Sequence, residues 1–396
     1  MKRKRTYAAL LMGMAAFLSG CGGGNSKEAD PAPQTVTEMT TESQDESVSE
    51  TVSETVAGFV IEAETQSGKS ESESYDFTIC FAGDISLADD AVTTQTMKAS
   101  ENGVYDCISK DLIEAMQSAD IMCLNNEFTY STNGSPMEGK MYTFRGNPEN
   151  VNVLKELGVD VVNLANNHVY DYGKQALLDT FDTLDEAEIP FFGAGRNLEE
   201  ATEPYYVELD GKVIAFVAAS RAEKNKMTPQ ATEDSPGILR CYDTTLFVDE
   251  IREAKENADF VLAYVHWGTE YSDQLEEVQL DTAREYLDAG ADVIIGAHPH
   301  CLQGMEYYDG KPIIYSLGNY WFNNKTLDTM LLNLHFSGDG DSDNLEVSIV
   351  AALQTSCRTY YVSDPDEQEA LYSYLESISI NVDIDENGVL SETVKE

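Results

Sequence analysis

This chain has no apolar run long enough to cross a bilayer as a helix. The stretch Ala8 to Leu18 is roughly 11 residues, against the about 20 that a spanning helix needs. None of the 7 cysteines forms a C-x-x-C pair, which excludes a zinc ribbon and a thioredoxin-type redox motif. Basic residues are few: 25 Lys and Arg stand against 71 Asp and Glu, a formal charge of −46. Such a surface repels nucleic acid and anionic lipid, so no nucleic-acid partner is expected, and the acidity reads as solubility outside the cell. Histidine is scarce as well, with 5 in 396 residues, so its placement carries information.

What is present begins with an export signal. Met1-Lys-Arg-Lys-Arg5 is a basic leader, Ala8 to Leu18 an apolar segment, and Leu18-Ser19-Gly20-Cys21 a small-residue cleavage site ending in cysteine. This arrangement resembles bacterial lipoproteins, in which Cys21 would carry a diacylglyceryl group after residues 1–20 are removed. Two acyl chains suffice for stable anchoring, so the expected partner is membrane lipid and the expected location is the extracytoplasmic face of the cell membrane. Residues 21–74 are rich in Ser, Thr and Glu and almost free of aromatics. They cannot bury enough surface to offset chain entropy and read as a disordered acidic tether.

Residues 75–396 are long enough for one large α/β domain. Strand-like runs alternate with helical patterns: strand Phe77–Ala82, helix Ile108–Ser118, strand Ile121–Leu124, helix Pro148–Leu157, strand Val159–Leu164, helix Lys174–Ala187 and a short strand at Phe192. A hairpin turning at Asp210-Gly211 follows, then helix Thr245–Asn257, strand Phe260–Val265, helix Gln274–Ala289, strand Val293–Ile295 and a hairpin at Asp309-Gly310. Long β-runs over Met330–Phe336 and Leu345–Leu353 and a helix over Pro365–Ile378 close the chain, within a C-terminal region of residues 329–380. Helices alternating with strands, then hairpins, imply two sheets between helical layers. No internal repeat is visible.

Polar segments follow several of these strands. They are F-A-G-D with Asp84, L-N-N-E-F with Glu127, N-L-A-N-N-H with Asn166, Asn167 and His168, Y-V-H-W-G with His266 and Trp267, and G-A-H-P-H with His298 and His300. Ligand sites in α/β sheets gather at the carboxyl ends of strands, so these segments are expected to converge. Carboxylate and amide oxygens combined with imidazoles suit one or two divalent transition ions, Mn, Fe or Zn, better than calcium. In H-P-H, Pro299 stiffens the chain between two imidazoles. His335 lies inside the β-run Leu331–Phe336 and reads as an ordinary strand residue. Cys301 adjoins His300 and reads either as a soft ligand or as a core cysteine. The other five cysteines beyond Cys21 read as buried thiols, with one disulfide left open.

The ordered set G-D-I-S-L, N-N-E-F, N-L-A-N-N-H-V-Y-D-Y-G, V-H-W-G-T-E-Y, G-A-H-P-H-C-L-Q-G and I-I-Y-S-L-G-N-Y-W-F, spread over residues 77–323, resembles the CapA family of bacterial capsule-synthesis proteins. That family is associated with poly-γ-glutamate capsule and is similar in fold to calcineurin-like metallophosphoesterases. The resemblance implies a four-layer α/β/β/α sandwich and a metal centre. It implies Asp84, Glu127, Asn167, His266, His298 and His300 as metal ligands, Glu127 as the bridging carboxylate, and His168 as the acid that protonates a leaving group. The sequence departs from the phosphoesterase pattern where D-x-H is Asp84-Ile85-Ser86 and where Asn126-Glu127 replaces G-D-x-x-D, which leaves one metal position a histidine short.

Beside these, Arg145, Arg221, Trp267 and Tyr271 are candidates for orienting an anionic substrate, and Asn166 and Asn319 for supporting it or the ligands. The functions this allows are capsule or poly-γ-glutamate biosynthesis with a hydrolase- or transferase-type site, a phosphoesterase acting on a small or cell-wall phosphate ester, and a polymer-binding module. The first carries capsule-synthesis membrane proteins as expected partners and an anionic polymer as ligand.

Overall fold

The computed structural model describes residues 74–339 and 342–393. The expected signal peptide, the lipidated Cys21 and the tether up to residue 73 lie outside the described residues. Among the described residues no helix is long and apolar enough to cross a membrane.

The strand Tyr75–Ile85 is apolar on both faces because it lies at the centre of an eight-stranded sheet. Parallel to it, in order, run Ile121–Asn126, Val161–Asn163 and Phe191–Phe192. On its other side the long antiparallel strands Leu327–Gly338 and Asp343–Thr355 and the short Arg358–Tyr361 complete the sheet. Asn319–Trp321 pairs in parallel with its last residues, Asp84 and Ile85. The second sheet has six strands. Lys212–Ser220, Phe260–His266, Val293–Ala297 and Lys311–Ile314 run parallel, flanked by the antiparallel edges Tyr205–Leu209 and Met305–Tyr308.

The two sheets face each other across an apolar core in which Phe77, Ile79 and Phe81 meet Phe216, Leu262 and Tyr264. Each such side chain contributes about 1.5–3 kcal/mol by burial, and Phe81 sits 6.2 Å and 6.3 Å, ring to ring, from Phe216 and Tyr264. Behind the first sheet pack Lys110–Ser118, Val151–Leu157 and Gly173–Ala187; behind the second pack Thr245–Asn257 and Glu277–Ala289. The result is the four-layer α/β/β/α sandwich that the resemblance implied.

Differences from the sequence reading are local. The first strand runs past Ala82 to Ile85, with its register shifting around Asp84, so Asp84 is held within the sheet rather than in a turn. The helix expected from Gln274 starts at Glu277, where Glu276 and Gln279 form a capping box. Among the elements that the sequence did not signal are the helix Val92–Ala99, the helix Leu198–Ala201, the strand Arg358–Tyr361 and the hairpin Val382–Ile384 with Leu390–Glu392.

Candidate metal centre

Glycine brings the first candidate ligand, Asp84, into place. A Cβ on Gly83 would lie 2.0 Å from the Gly318 carbonyl oxygen, so only glycine lets the chain at Gly318 approach this strand. Asp84 N donates to that same carbonyl at 2.9 Å. Asp84 and Asn319 thereby become register partners across the two strands. Gly296 serves likewise before the H-P-H turn, where a Cβ would lie 1.9 Å from the Tyr315 carbonyl oxygen. His298 and His300 on either side of Pro299 have φ of 99° and 56°. Non-glycine backbone in this region costs on the order of 1–3 kcal/mol, a strain that marks functional segments.

The carboxyl ends of the strands bring Asp84, Glu127, Asn167, His168, His266, His298 and His300 together, all buried. Glu127 stands at the centre: its Oε1 is 3.5 Å from His266 Nε2, 3.8 Å from His300 Nε2 and 4.0 Å from His168 Nε2. Two donor groups share it, Glu127 with His266 and His298, and Asp84 with Glu127 and His300, each with ligand atoms within 4.8 Å of one another. Asn167 Oδ1 is 2.7 Å from His266 Nε2. His300 Nδ1 faces two acceptors, Asp84 Oδ2 at 3.0 Å and Asn319 Oδ1 at 2.9 Å. That nitrogen therefore carries the hydrogen, and Nε2 presents its lone pair toward Glu127.

Three buried polar atoms here have no hydrogen-bond partner: Glu127 Oε1, His298 Nδ1 and Asn319 Nδ2. Leaving a polar group buried and unpaired costs about 1–3 kcal/mol, and a cation relieves that cost at the two that carry lone pairs. Burial, then repulsion from Asp84, raises the Glu127 carboxyl well above its ordinary value. Burial, then the neighbouring imidazoles, pulls His266 well below its ordinary value and His298 down to about 3. Both imidazoles are thus neutral at pH 7, the form that binds metal. On orphaned atoms, charge state and donor chemistry, these residues fit a divalent cation.

His168 stands apart from the ligand groups. Its Nδ1 is 2.7 Å from Asp171 Oδ2, and Asp171 Oδ1 is 2.6 Å from Lys140 Nζ. Lys140 also donates to the Asn167 carbonyl oxygen, and its side chain is only 4% exposed. Burial lowers the His168 basicity and Asp171 opposes that shift.

Sequence reasoning missed Lys140, Asp171 and Asn125. Asn125 Nδ2 lies 2.8 Å from Asp84 Oδ1 and 3.3 Å from Glu127 Oε2, while its Oδ1 accepts from Asn163 and Asn166. Asn166 also donates to the Asn126 carbonyl and accepts from the His168 amide, which fixes the turn that presents Asn167 and His168. Asp171 was within reach, three residues after His168 on one turn. Asn125 was within the N-N-E segment.

Two proposed substrate residues are engaged elsewhere. Trp267 is fully buried among Tyr286 and Tyr315 behind the second sheet, with its Nε1 donating to the Tyr315 carbonyl. Arg145 donates to the Asn133 and Gly134 carbonyls and lies over the Tyr172 ring at 4.2 Å. Tyr271 does border the centre, its ring 5.8 Å from that of His300 with Lys325 Nζ 3.2 Å from its own centroid. Cys301 joins neither donor group, and the six cysteines among the described residues are free thiols. His335 lies in the strand Leu327–Gly338 beside Asp76, away from the centre.

The sequence model of the family described as "Bacterial capsule synthesis protein PGA_cap" matches residues 78–324, the span that contains every candidate ligand named above. The "PGA biosynthesis protein CapA" of Bacillus subtilis (strain 168) is 33% identical over 285 residues, covering 70% of this chain and 72% of that protein. The "Capsule biosynthesis protein CapA" of Bacillus anthracis is 36% identical over 199 residues, 48% of each chain. A probable polyglutamine synthesis accessory protein of Mycobacterium tuberculosis is 29% identical over 210 residues, covering 51% of this chain and 55% of that protein. By the extent of the family match and the identity to the Bacillus subtilis protein, this chain belongs to the CapA, or PGA_cap, family of bacterial capsule synthesis proteins.

Proposed function

We propose that this protein serves capsule or poly-γ-glutamate biosynthesis at the outer face of the cell membrane, held there by lipid on Cys21, and that its buried centre performs metal-dependent hydrolysis or group transfer on an anionic substrate. Capsule-synthesis membrane proteins are its partners in this reading. The observation that carries it is the sharing of Glu127 by two donor groups whose remaining members are Asp84 and His300 on one side and His266 and His298 on the other. A polymer-binding module has no need of two such groups with orphaned donor atoms.

Bound there, one or two Mn, Fe or Zn ions would supply Lewis acidity toward a phosphoryl or carbonyl group. The chain's own residues do the rest. Asp171, fixed by Lys140 and by the Phe144 amide at 2.7 Å, orients the His168 ring through Nδ1 and stabilises its protonated form. His168 Nε2 then faces the centre and exchanges the proton of a leaving group. Burial of the donor set excludes bulk water and strengthens each electrostatic contact. Phe144 and Phe322, whose rings lie 4.4 Å from His168 and 4.7 Å from His300, supply the apolar wall.

A phosphate-ester substrate is the second reading, favoured by the adjacency of Asn167 and His168 at the centre. The test is genetic and chemical. In its host cell, replacing the protein with Glu127→Gln should remove surface poly-γ-glutamate while the protein persists in the membrane. Unchanged polymer would overturn the first reading, and phosphate release from ester substrates by the purified protein would then support the second.

A further inference from the structure

Arginines in so acidic a chain are expected to find carboxylates, and Arg196, Arg252 and Arg284 do. Four do not: among the described residues Arg145, Arg221, Arg240 and Arg358 have no Asp or Glu within ion-pair distance, and of these Arg221 and Arg240 lie together. They instead flank one aromatic ring, their Cζ atoms 4.7 Å and 5.1 Å from the centroid of Tyr242, which is 53% exposed. Arg221 donates from Nη1 to the Tyr242 carbonyl, and Arg240 to the carbonyls of Thr228 and Glu223. These contacts hold both planar groups in place without neutralising them.

A cavity of about 510 Å³ opens beside them, lined by Arg240 and Tyr242 together with Asn225, Gln230, Asp243 and the first turn of the helix Thr245–Asn257. The Gln230 Nε2 is buried without a hydrogen-bond partner, while its Oε1 is occupied by the Arg240 amide. The one carboxylate in the lining, Asp243, is spent on Thr245, accepting from its amide at 3.0 Å and its hydroxyl at 2.6 Å. The guanidinium and the orphaned amide donor favour an oxyanion, whereas the first amide of the helix is already taken by the Asp243 carboxylate.

The cavity is tied to the metal centre through backbone. Arg240 Nη1 bonds the Thr228 carbonyl, Thr228 Oγ1 donates to the Asn167 carbonyl at 2.8 Å, and the Arg221 amide donates to the His266 carbonyl at 2.8 Å. None of the candidate metal ligands lines the cavity.

We propose that Arg221, Tyr242 and Arg240, with the adjoining cavity, form a second oxyanion-binding site that takes a further carboxylate or phosphoryl group of the substrate. The assignment of that group to the substrate rests on the function proposed above; the site itself does not. Burial draws the Arg240 guanidinium below its ordinary value, opposed by Tyr242, Cys241 and Glu223.

The test is calorimetric titration of the purified full chain in detergent with two probes, a γ-linked glutamate pentapeptide and inorganic phosphate. Arg240→Gln should weaken binding about tenfold, the loss of one charge-assisted contact, Arg240→Lys should recover part of it, and Arg221→Gln, which acts through the Tyr242 ring, should weaken binding by a smaller factor. Metal content should stay at the wild-type level in all three. In a His298→Ala background the arginine substitutions should still weaken probe binding by the same factor, which separates this site from the metal centre. Arginine-dependent binding of the peptide assigns a carboxylate, and of phosphate a phosphoryl group. Failure of both probes to bind, or equal binding by the arginine variants, overturns the site. A wild-type chain that holds no metal while arginine-dependent binding stays intact would overturn the metal-centre reading alone.

Discussion

His300 Nδ1 lies 3.0 Å from Asp84 Oδ2, and that contact decides which nitrogen of His300 faces Glu127. Asp84 comes from the end of the central strand of one sheet and His300 from the turn beyond a strand of the other. The centre is therefore a seam between the two sheets, and it holds only while both sheets keep their register.

The close approach at Gly83 gives the first prediction. Gly83→Ala would place its Cβ against the Gly318 carbonyl, and backbone on both sides must shift. Overpacking of this kind costs about 1–3 kcal/mol or more, and it moves Asp84 relative to Asn319. Urea unfolding should show a lower midpoint, and metal content should fall with it. A midpoint equal to wild type would show that the seam yields more easily than its geometry implies.

Lys140 and Asp171 form a buried pair, with side chains 4% and 0% exposed. Lys140→Met leaves the Asp171 carboxylate buried without its cation, which should destabilise the fold by about 3–5 kcal/mol. Adding Asp171→Asn should recover a good part of that loss. If the double variant is as unstable as the single one, the pair's charge is not what matters.

Glu250 offers a pH test away from the centre. It is buried on the helix Thr245–Asn257, both carboxyl oxygens lack partners, and burial raises its carboxyl well above the ordinary value. The unfolded chain releases this proton near the ordinary value of about 4.3, while the folded chain keeps it to higher pH. The folded state then binds more protons, so this residue costs stability increasingly as pH rises through the ordinary value. Glu250→Gln should be neutral near pH 4 and stabilising by about 1–3 kcal/mol near pH 8. A gain larger at pH 4 than at pH 8 would reverse the assignment.

Much of the centre was legible because its residues obey one local rule: a short polar segment directly after an apolar strand. Asp84, Glu127, Asn167, His168, His266 and the H-P-H pair all do, and the fold places them together. Lys140 obeys no such rule. It lies in a loop after the strand Thr129–Tyr130 and reaches Asp171 only through tertiary folding. Trp267 obeyed the rule and misled, since the residue after His266 points to the opposite face of the sheet and into the helical layer. The helix Val92–Ala99 was invisible because three of its eight residues are Thr, poor helix formers held here by burial of Thr93, Thr94 and Met97. The C-terminal hairpin has three-residue strands, too short to show a period.

The measurement closest to the central claim is elemental analysis of the purified full chain after dialysis without chelator, beside Glu127→Gln and His298→Ala. The account predicts about one to two equivalents of Mn, Fe or Zn in the wild type, loss from both donor groups in Glu127→Gln, and loss confined to the His266 side in His298→Ala, with both variants folded. A wild-type chain that takes up no transition metal even after reconstitution would contradict it.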